Sequence, residues 1–178
     1  MILTIGHSRH PLKTLLDMLD RHGIQAVVDV RRKPYSRRHP QYDREGLAAA
    51  LSQAGIDYFH QEALGGLREP RPDSPHVGLP APIRGFADHM ETPAFHTALG
   101  GLIQRSRAQR VAILCAEASP GDCHRSLISD ALVTRGEEVE HILDADPREA
   151  HHLTSAAQVV HGALLYPGWQ ARLDLGSR

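Results

Sequence analysis

Short apolar runs alternate with segments of helical periodicity along most of this chain, and this alternation limits the fold more than any other feature. Strands are predicted at residues 2–5, 26–30, 57–60, 111–114 and 138–143. Because helical patterns separate these strands, crossover connections are required, which is typical of a parallel sheet covered on both faces. We therefore predict a three-layer, Rossmann-like α/β fold with a mainly parallel sheet of about five strands and helices on both faces.

Apolar residues recur at helical spacing between the strands, in residues 12–19, 47–51, 86–107 and 127–132. The third of these segments contains Thr92-Pro93, where a helix can restart. Residues 64–85 instead hold two consecutive glycines and five of the twelve prolines. This composition predicts a loop, an insertion or a lid.

The length of 178 residues is enough for a sizeable core, and we predict a single α/β domain over residues 1–178. Residues 144–178 are expected to form a C-terminal helical extension that is mobile at its end. The first residues lack the features of an export signal, and no run approaches the roughly 18 apolar residues of a membrane span. We expect a cytoplasmic protein with no membrane partner; the sequence carries no signal for an oligomeric state.

Composition limits the kinds of partner. The net charge of -1 argues against a protein that coats nucleic acid non-specifically, because such affinity needs a large excess of Lys and Arg. The aromatic content of 4% excludes an extended array of rings that stack on single-stranded bases. Five cations nevertheless fall within residues 31–38. This basic run is either a solvated loop or, because it follows a predicted strand, a contact for phosphate or nucleic acid.

Ionisable side chains follow several of the predicted strands. The carboxyl ends of parallel strands meet at one edge of the sheet, where α/β proteins bind ligands. Buried charge at this edge is tolerated only where partners or ligands satisfy it, so we predict a composite site there. The side chains expected to reach it are His7, Ser8, Asp29, Arg31, Arg32, His60, Glu62, Cys115, Glu117, Cys123, His124 and Arg125.

Arg32 and Arg125 are the leading candidates for an anion ligand. A planar guanidinium binds phosphate or carboxylate through two hydrogen bonds, and Arg125 lies at the start of a predicted helix, where anions are favoured. The alternative is that these arginines pair with Asp29 or Glu117 and hold the loops together.

Glu117, Cys123 and His124 are the candidate catalytic residues, as acid, base or nucleophile. Cys123 lies near a helix start beside basic residues, which favours a thiolate and hence a nucleophile. The alternative is a small residue packed at a turn. The loop matches neither the phosphatase spacing of cysteine and arginine nor a redox Cys-x-x-Cys pair. Cys115 is expected in the core, and both cysteines are expected to be reduced thiols.

We predict no metal or other cofactor. The alternative is a zinc site that collects Cys115, Cys123, His124 and His7, because these ligand types suit zinc. Their spacing matches no strong zinc signature, and a chain with thirteen histidines has chance clusters. His151-His152 is expected to be a solvated pair.

Five spaced motifs resemble, in the same order, the family known as domain of unknown function 488. They are Thr4-Ile-Gly-His-Ser8, Asp29-Val-Arg31 with Pro34 and Ser36, Leu64-Gly-Gly66, Cys115-Ala-Glu117 with Pro120, and Cys123-His-Arg125. The resemblance extends from the first strand to about Leu143 and implies a small α/β protein, but it implies no particular activity. It adds Ser36, Gly65 and Gly66 to the candidate ligand-binding residues, beside His7, Ser8, Asp29, Arg31, Arg32 and Arg125.

The first functional hypothesis is an enzyme or ligand-binding domain for a phosphorylated partner, either a nucleotide or the phosphate of a nucleic acid. The ligand would be held by Arg32, Arg125 and the backbone of the turn at residues 119–125. One alternative is a nucleic-acid-binding accessory protein without catalysis, which would use residues 31–38. Another is a metal-dependent hydrolase.

Overall fold

A computed structural model describes residues 1–35, 39–143 and 148–168 of the chain. Its centre is a six-stranded sheet with the strand order β3-β2-β4-β1-β5-β6. The first five strands along the chain run parallel, and β6 pairs antiparallel with β5. The prediction of a mainly parallel sheet is confirmed. The strands are β1 (Ile2–Gly6), β2 (Ala26–Asp29), β3 (Asp57–His60), β4 (Val111–Cys115), β5 (Val139–Ile142) and β6 (Glu149–Ala150).

The α-helices of the described residues cover both faces of this sheet. They are α1 (Leu12–Arg21), α2 (Arg44–Gln53), α3 (Ala81–Met90), α4 (Pro93–Ala108) and α5 (Arg125–Val133). The apolar sides of α1 and α2 pack on one face, and those of α3, α4 and α5 pack on the other. The three-layer α/β prediction is confirmed. Among the residues described, no helix combines the length and apolar character needed to cross a bilayer.

Strands β1 and β4 lie at the centre of the sheet and are buried along their whole length. Their pairing ends with Gly6 opposite Cys115, so their carboxyl ends are level. The helices that follow β1 and β2 lie on one face, whereas α5, which follows β4, lies on the other. The connections therefore diverge around β4, and a crevice opens at the carboxyl edge of the sheet.

The helical pattern over residues 86–107 consists of two helices, with the restart at the predicted place. The Thr92 side chain accepts a hydrogen bond from the Phe95 N–H (3.3 Å), and Pro93 occupies the first turn of α4. Helix α3 starts at Ala81, inside the segment predicted as a loop, insertion or lid. Residues 65–80 form no helix or strand, as expected.

The tail differs from its prediction. Residues 148–168 contain β6 and a hairpin of β7 (Gln158–Val160) and β8 (Ala163–Leu165), so the predicted helical extension is wrong for this part. His161 and Gly162 both have positive φ, 49° and 82°, as in a two-residue type I′ hairpin turn. That turn, between short β-branched and apolar runs, was the missed signal. Residues 144–147 and 169–178, including most of the end expected to be mobile, lie outside the described residues.

A buried hydrogen-bond chain joins this tail to the core. The Asp130 carboxylate, in α5, accepts from the Tyr166 hydroxyl (3.0 Å) and from His151 Nε2 (2.8 Å). His151 Nδ1 in turn accepts from His141 Nε2 (3.0 Å), and His141 Nδ1 accepts from the Thr4 hydroxyl (2.7 Å). The expectation that His151 is solvated is therefore wrong, because the buried carboxylate of Asp130 takes it as a donor.

Tyr166 also fastens the loop at residues 65–80. Its carbonyl accepts from the Gly78 N–H (2.8 Å), and its own N–H donates to His76 Nδ1 (3.3 Å). The carbonyl of Pro167 lies so close to Gly78 that a Cβ there would clash. The tail therefore supports the loop that leads into α3.

Candidate functional site

The crevice at the carboxyl edge is a cleft of about 660 Å³. Its walls come from the ends of β1, β2 and β4, from the loop after β3, and from the start of α3. The cleft brings together most of the predicted site residues, namely His7, Ser8, Arg31, Arg32, Gly66, Cys115, Glu117, Cys123 and His124. The others do not line it, namely Asp29, His60, Glu62, Gly65 and Arg125, and Ser36 falls outside the described residues.

The end of β1 is fixed against the end of β4. The backbone N–H groups of His7 and Ser8 donate to the carbonyls of Cys115 (2.9 Å) and Ala116 (2.8 Å), which extends the ladder by two residues. The Glu117 carbonyl packs so closely on Gly6 that any side chain there would clash. Gly6 therefore permits the two loops to touch.

His7 is a neutral side chain held on both ring nitrogens. Arg31 Nη1 donates to His7 Nε2 (3.3 Å), so Nδ1 carries the proton and donates to the Ser8 carbonyl (3.0 Å). The ring stacks on Tyr42 with centroids 4.1 Å apart. Burial and the neighbouring Arg31 charge lower the pKa of His7 to about 4.

Asp29 serves Arg31 and does not line the cleft. Its carboxylate accepts two hydrogen bonds from the Arg31 guanidinium, at 2.9 and 2.6 Å, and a third from the Tyr58 hydroxyl at 2.8 Å. Burial opposes the charge on Arg31, but the hydrogen bonds and charge of Asp29 outweigh it and raise the pKa of the guanidinium. Pairing with Asp29 is the alternative role predicted from the sequence for Arg32 and Arg125. In the structure it is Arg31 that pairs with Asp29.

The two consecutive glycines allow close packing. A Cβ on Gly65 would lie 2.7 Å from Arg32 Cα, and one on Gly66 would lie 2.8 Å from His124 Nδ1. The following residue, Leu67, accepts a hydrogen bond on its carbonyl from Arg32 Nη1 (2.6 Å). These glycines position Arg32 and His124 at the cleft.

Cys115, Cys123 and His124 form a cluster at the floor of the cleft. Their two Sγ atoms and one imidazole nitrogen all lie within 4.8 Å of one another. His124 Nε2 donates to the Val30 carbonyl (3.0 Å), so Nδ1 is an unprotonated acceptor. This Nδ1 lies 3.7 Å from Cys123 Sγ and 3.9 Å from Cys115 Sγ. Both cysteines are free thiols, as expected.

The two thiols differ in their surroundings. The Cys115 thiol can donate to Glu117 Oε2 (3.1 Å) or toward Cys123. A hydrogen bond from Cys115, together with the Arg125 charge, lowers the pKa of Cys123 in spite of its burial. Hydrogen bonding to Cys123 and burial raise the pKa of Cys115. Within the pair, the thiolate character therefore belongs to Cys123.

Arg125 was expected to reach a ligand in the cleft, but its side chain lies behind the loop of Glu117 and Ala118. Its side chain is only 1% exposed, and its Nη2 donates to the carbonyls of Glu117 (2.5 Å) and Ala118 (3.1 Å). Two amides of the turn are also taken by partners within the protein, since the Arg125 N–H donates to Cys123 Sγ (3.5 Å) and the Cys123 N–H to Pro120 O (3.1 Å). Arg125 thus supports the loop that carries Glu117.

Several parts of the cleft wall escaped sequence reasoning, among them His39 and Leu67. Arg9 follows the β1 loop directly, and Pro82 and Ile83 lie at the start of α3, in the segment expected to be a lid. Arg9 was open to prediction, because it is adjacent to Ser8 at the same strand end. Pro82 and Ile83 carried no signal, since only the tertiary fold brings α3 to this edge.

Comparison with known proteins supports the family resemblance. No curated protein matches the chain. A family model described as Domain of unknown function DUF488 matches residues 11–132, more than half of the chain. The match covers Asp29 to Arg125 of the site, but it ends before Leu143 and leaves out the β1 motif with Gly6, His7 and Ser8. The chain therefore belongs to the DUF488 family.

Proposed function

We propose that the cleft binds a phosphorylated ligand, either a nucleotide or a phosphate of nucleic acid. The observation that carries this proposal is the charge of the wall. Arg9, Arg32 and Lys33 line it beside Arg31, whose charge is paired with Asp29, against two acids among the described lining residues, Glu117 and Asp122. The whole chain has a net charge of -1, so the excess of cations is local. Phosphate is the common ligand of such a concentration of guanidinium groups.

Two of these guanidinium groups are held in place before any ligand arrives. Arg31 is fixed by Asp29 through Nε and Nη2, and its Nη1 lies toward His7 at the cleft. Arg32 is fixed through one nitrogen on the Leu67 carbonyl. Groups fixed in this way lose little conformational entropy on binding.

The opening of the cleft suits the rest of a nucleotide. Leu67 is 76% exposed and Tyr35 is 67% exposed, and both line the same cleft as the cations, together with Ile83. Large apolar groups left in water beside a polar site are a common mark of a binding surface. A ligand that joins a phosphate to a planar base would contact both parts of the wall.

Isothermal titration calorimetry with AMP and with inorganic phosphate tests this proposal. We expect AMP to bind the wild type, and Arg32→Ala to weaken it roughly tenfold to a hundredfold, as expected for the loss of a charged hydrogen bond. Arg107→Ala, on the exposed side of α4, is the matched control and should bind as the wild type does. A wild type that binds neither probe contradicts the proposal, as does equal weakening by both variants.

An oligonucleotide distinguishes a free nucleotide from the nucleic-acid alternative. Lys33 and Tyr35 of the basic run are exposed at the cleft, while Ser36 and the two arginines after it lie outside the described residues. Fluorescence anisotropy of a 5′-phosphorylated single strand should show affinity that falls steeply with salt if the basic run contacts several phosphates. Affinity for AMP without affinity for the strand assigns the cleft to a small ligand.

A further inference from the structure

We infer that Cys115, Cys123 and His124 bind a zinc ion, with the fourth coordination position open to the cleft. The inference stands on the convergence of two sulfurs and one unprotonated imidazole nitrogen at the cleft floor. Two cysteines and one histidine, with one position left for a water or a ligand, are a ligand set found in catalytic zinc sites.

The distances fit such an ion. With bonds of about 2.3 Å to sulfur and about 2.0 Å to nitrogen, tetrahedral zinc holds a sulfur and a nitrogen ligand about 3.5 Å apart. His124 Nδ1 lies 3.7 Å from one Sγ and 3.9 Å from the other. Shifts of a few tenths of an ångström, which side-chain rotation supplies, would complete the geometry.

The histidine is oriented as zinc-binding histidines usually are. Its other ring nitrogen donates to the backbone carbonyl of Val30 (3.0 Å), a contact that fixes the tautomer and directs the free lone pair at the metal. Gly66 lies against one part of the ring, and Phe86 packs its ring edge at 4.9 Å between centroids. The ring is therefore locked with Nδ1 toward the sulfurs.

The same arrangement makes His124 unsuitable as an acid or base for a ligand in the cleft. Nε2 is occupied by the Val30 carbonyl, and Nδ1 is directed at the two sulfurs. Cys115 is the last residue of β4, and Cys123 lies two residues before α5, where the Arg125 N–H donates to its Sγ (3.5 Å). A backbone donor to a ligand sulfur is a further contact of the kind that supports metal ligands.

The fourth coordination position of the zinc faces the cleft, and its occupation by a ligand rests on the proposed function. Among the described residues, no fourth His, Cys, Asp or Glu atom joins the cluster, and His7 of the sequence hypothesis is held instead by Ser8 and Arg31. The carboxylate of Glu117 lies next to Cys115, at 3.1 Å from its Sγ. A phosphate oxygen or a water would complete the coordination, with Glu117 as a nearby acceptor.

Metal analysis of the full-length chain, expressed without a histidine tag, tests the site. We expect elemental analysis to find zinc at one ion per chain, and Cys115→Ser, Cys123→Ser and His124→Asn to lose it. The matched control is His39→Gln, because His39 lines the same cleft outside the cluster and should retain the ion. Zinc that persists in all three cluster variants would overturn the inference.

A second measurement separates loss of metal from loss of fold. Wild-type chain stripped by a chelator is titrated with Co²⁺, which should give thiolate-to-cobalt charge-transfer absorption and the strong visible bands of a tetrahedral ion. His124→Cys should restore binding with a three-sulfur set, while His124→Asn should stay folded by circular dichroism and gain no thermal stability from Zn²⁺. A folded wild type that binds neither ion, with both thiols open to alkylation, overturns the inference. AMP binding that survives this failure leaves the proposed function standing.

Discussion

At the scale of single residues, a buried ion pair of Asp29 and Arg31 lies beside the cleft. The carboxylate is fully buried, and the guanidinium is 7% exposed with two hydrogen bonds to it. Each charge is tolerated because the other is present, since an isolated buried ion costs several kcal/mol. The pair therefore sets the position of a cleft cation, and the loss of either partner would leave an uncompensated buried charge.

Asp29→Asn should leave Arg31 charged and without its partner. We expect the free energy of unfolding to fall by about 3 to 5 kcal/mol, measured by urea denaturation. Asp17→Asn is the control, since Asp17 pairs with Lys13 at 2.7 Å on the exposed side of α1. That surface pair should contribute little. Similar losses for both variants would mean that burial does not determine the effect.

At the scale of elements, two glycines differ in the space that a side chain would have. Gly66 lies in a loop against the His124 ring, whereas Gly100 lies inside α4 with open space where a Cβ would go. A methyl group at position 66 requires the His124 ring or the loop to move. A methyl group at position 100 contacts nothing and raises the helix propensity of α4.

Gly66→Ala should destabilise the protein by about 1 to 3 kcal/mol through overpacking, and it should weaken Zn²⁺ binding because Nδ1 turns from the sulfurs. Gly100→Ala should leave metal binding unchanged and stabilise the chain by up to about 1 kcal/mol. Thermal unfolding followed by circular dichroism, with and without Zn²⁺, measures both. A Gly66→Ala protein as stable as the wild type would show that the loop backbone moves to make room and that the His124 ring keeps its position.

The elements also show how far sequence reasoning reaches. Residues 2–5 and 111–114 were predictable as strands, because a strand buried on both faces is a short continuous apolar run that ends at a turn. The meeting of His7, Arg31 and Cys123 followed from the geometry of parallel strands. The inward direction of Arg125 did not, because an arginine at a helix start has the same local sequence whether it faces a ligand or a carbonyl.

At the scale of the whole molecule, the buried histidine of β5 is expected to make the free energy of unfolding depend on pH. His141 is 5% exposed, and burial, the neighbouring His151 and the Arg125 charge lower its pKa to about 4. The unfolded chain takes up this proton near pH 6.5, the ordinary value for histidine. The stabilising effect is thus present above that pH and is lost as the pH falls toward 4.

Because the folded chain resists this protonation, the free energy of unfolding should fall across this pH range, by less than the roughly 3 kcal/mol that the full shift would give without solvent screening. His141→Gln removes the titration, so its urea midpoint should fall less between neutral pH and pH 4 than that of the wild type. His152→Gln, at an exposed neighbour of His151, should keep the wild-type slope. Equal slopes for wild type and His141→Gln would assign the acid sensitivity to other groups.

The connection from Tyr166 to the loop at residues 65–80 separates two parts of the cleft along the sequence. The family match ends at residue 132, so the hairpin and Tyr166 lie beyond it, yet they support a loop that runs from the Gly65-Gly66 pair to the start of α3. The cysteine–histidine cluster at the floor of the cleft is thus encoded within the matched segment, and the support of its rim is encoded outside it. A change in the tail can therefore alter what the opening admits without any change to the floor.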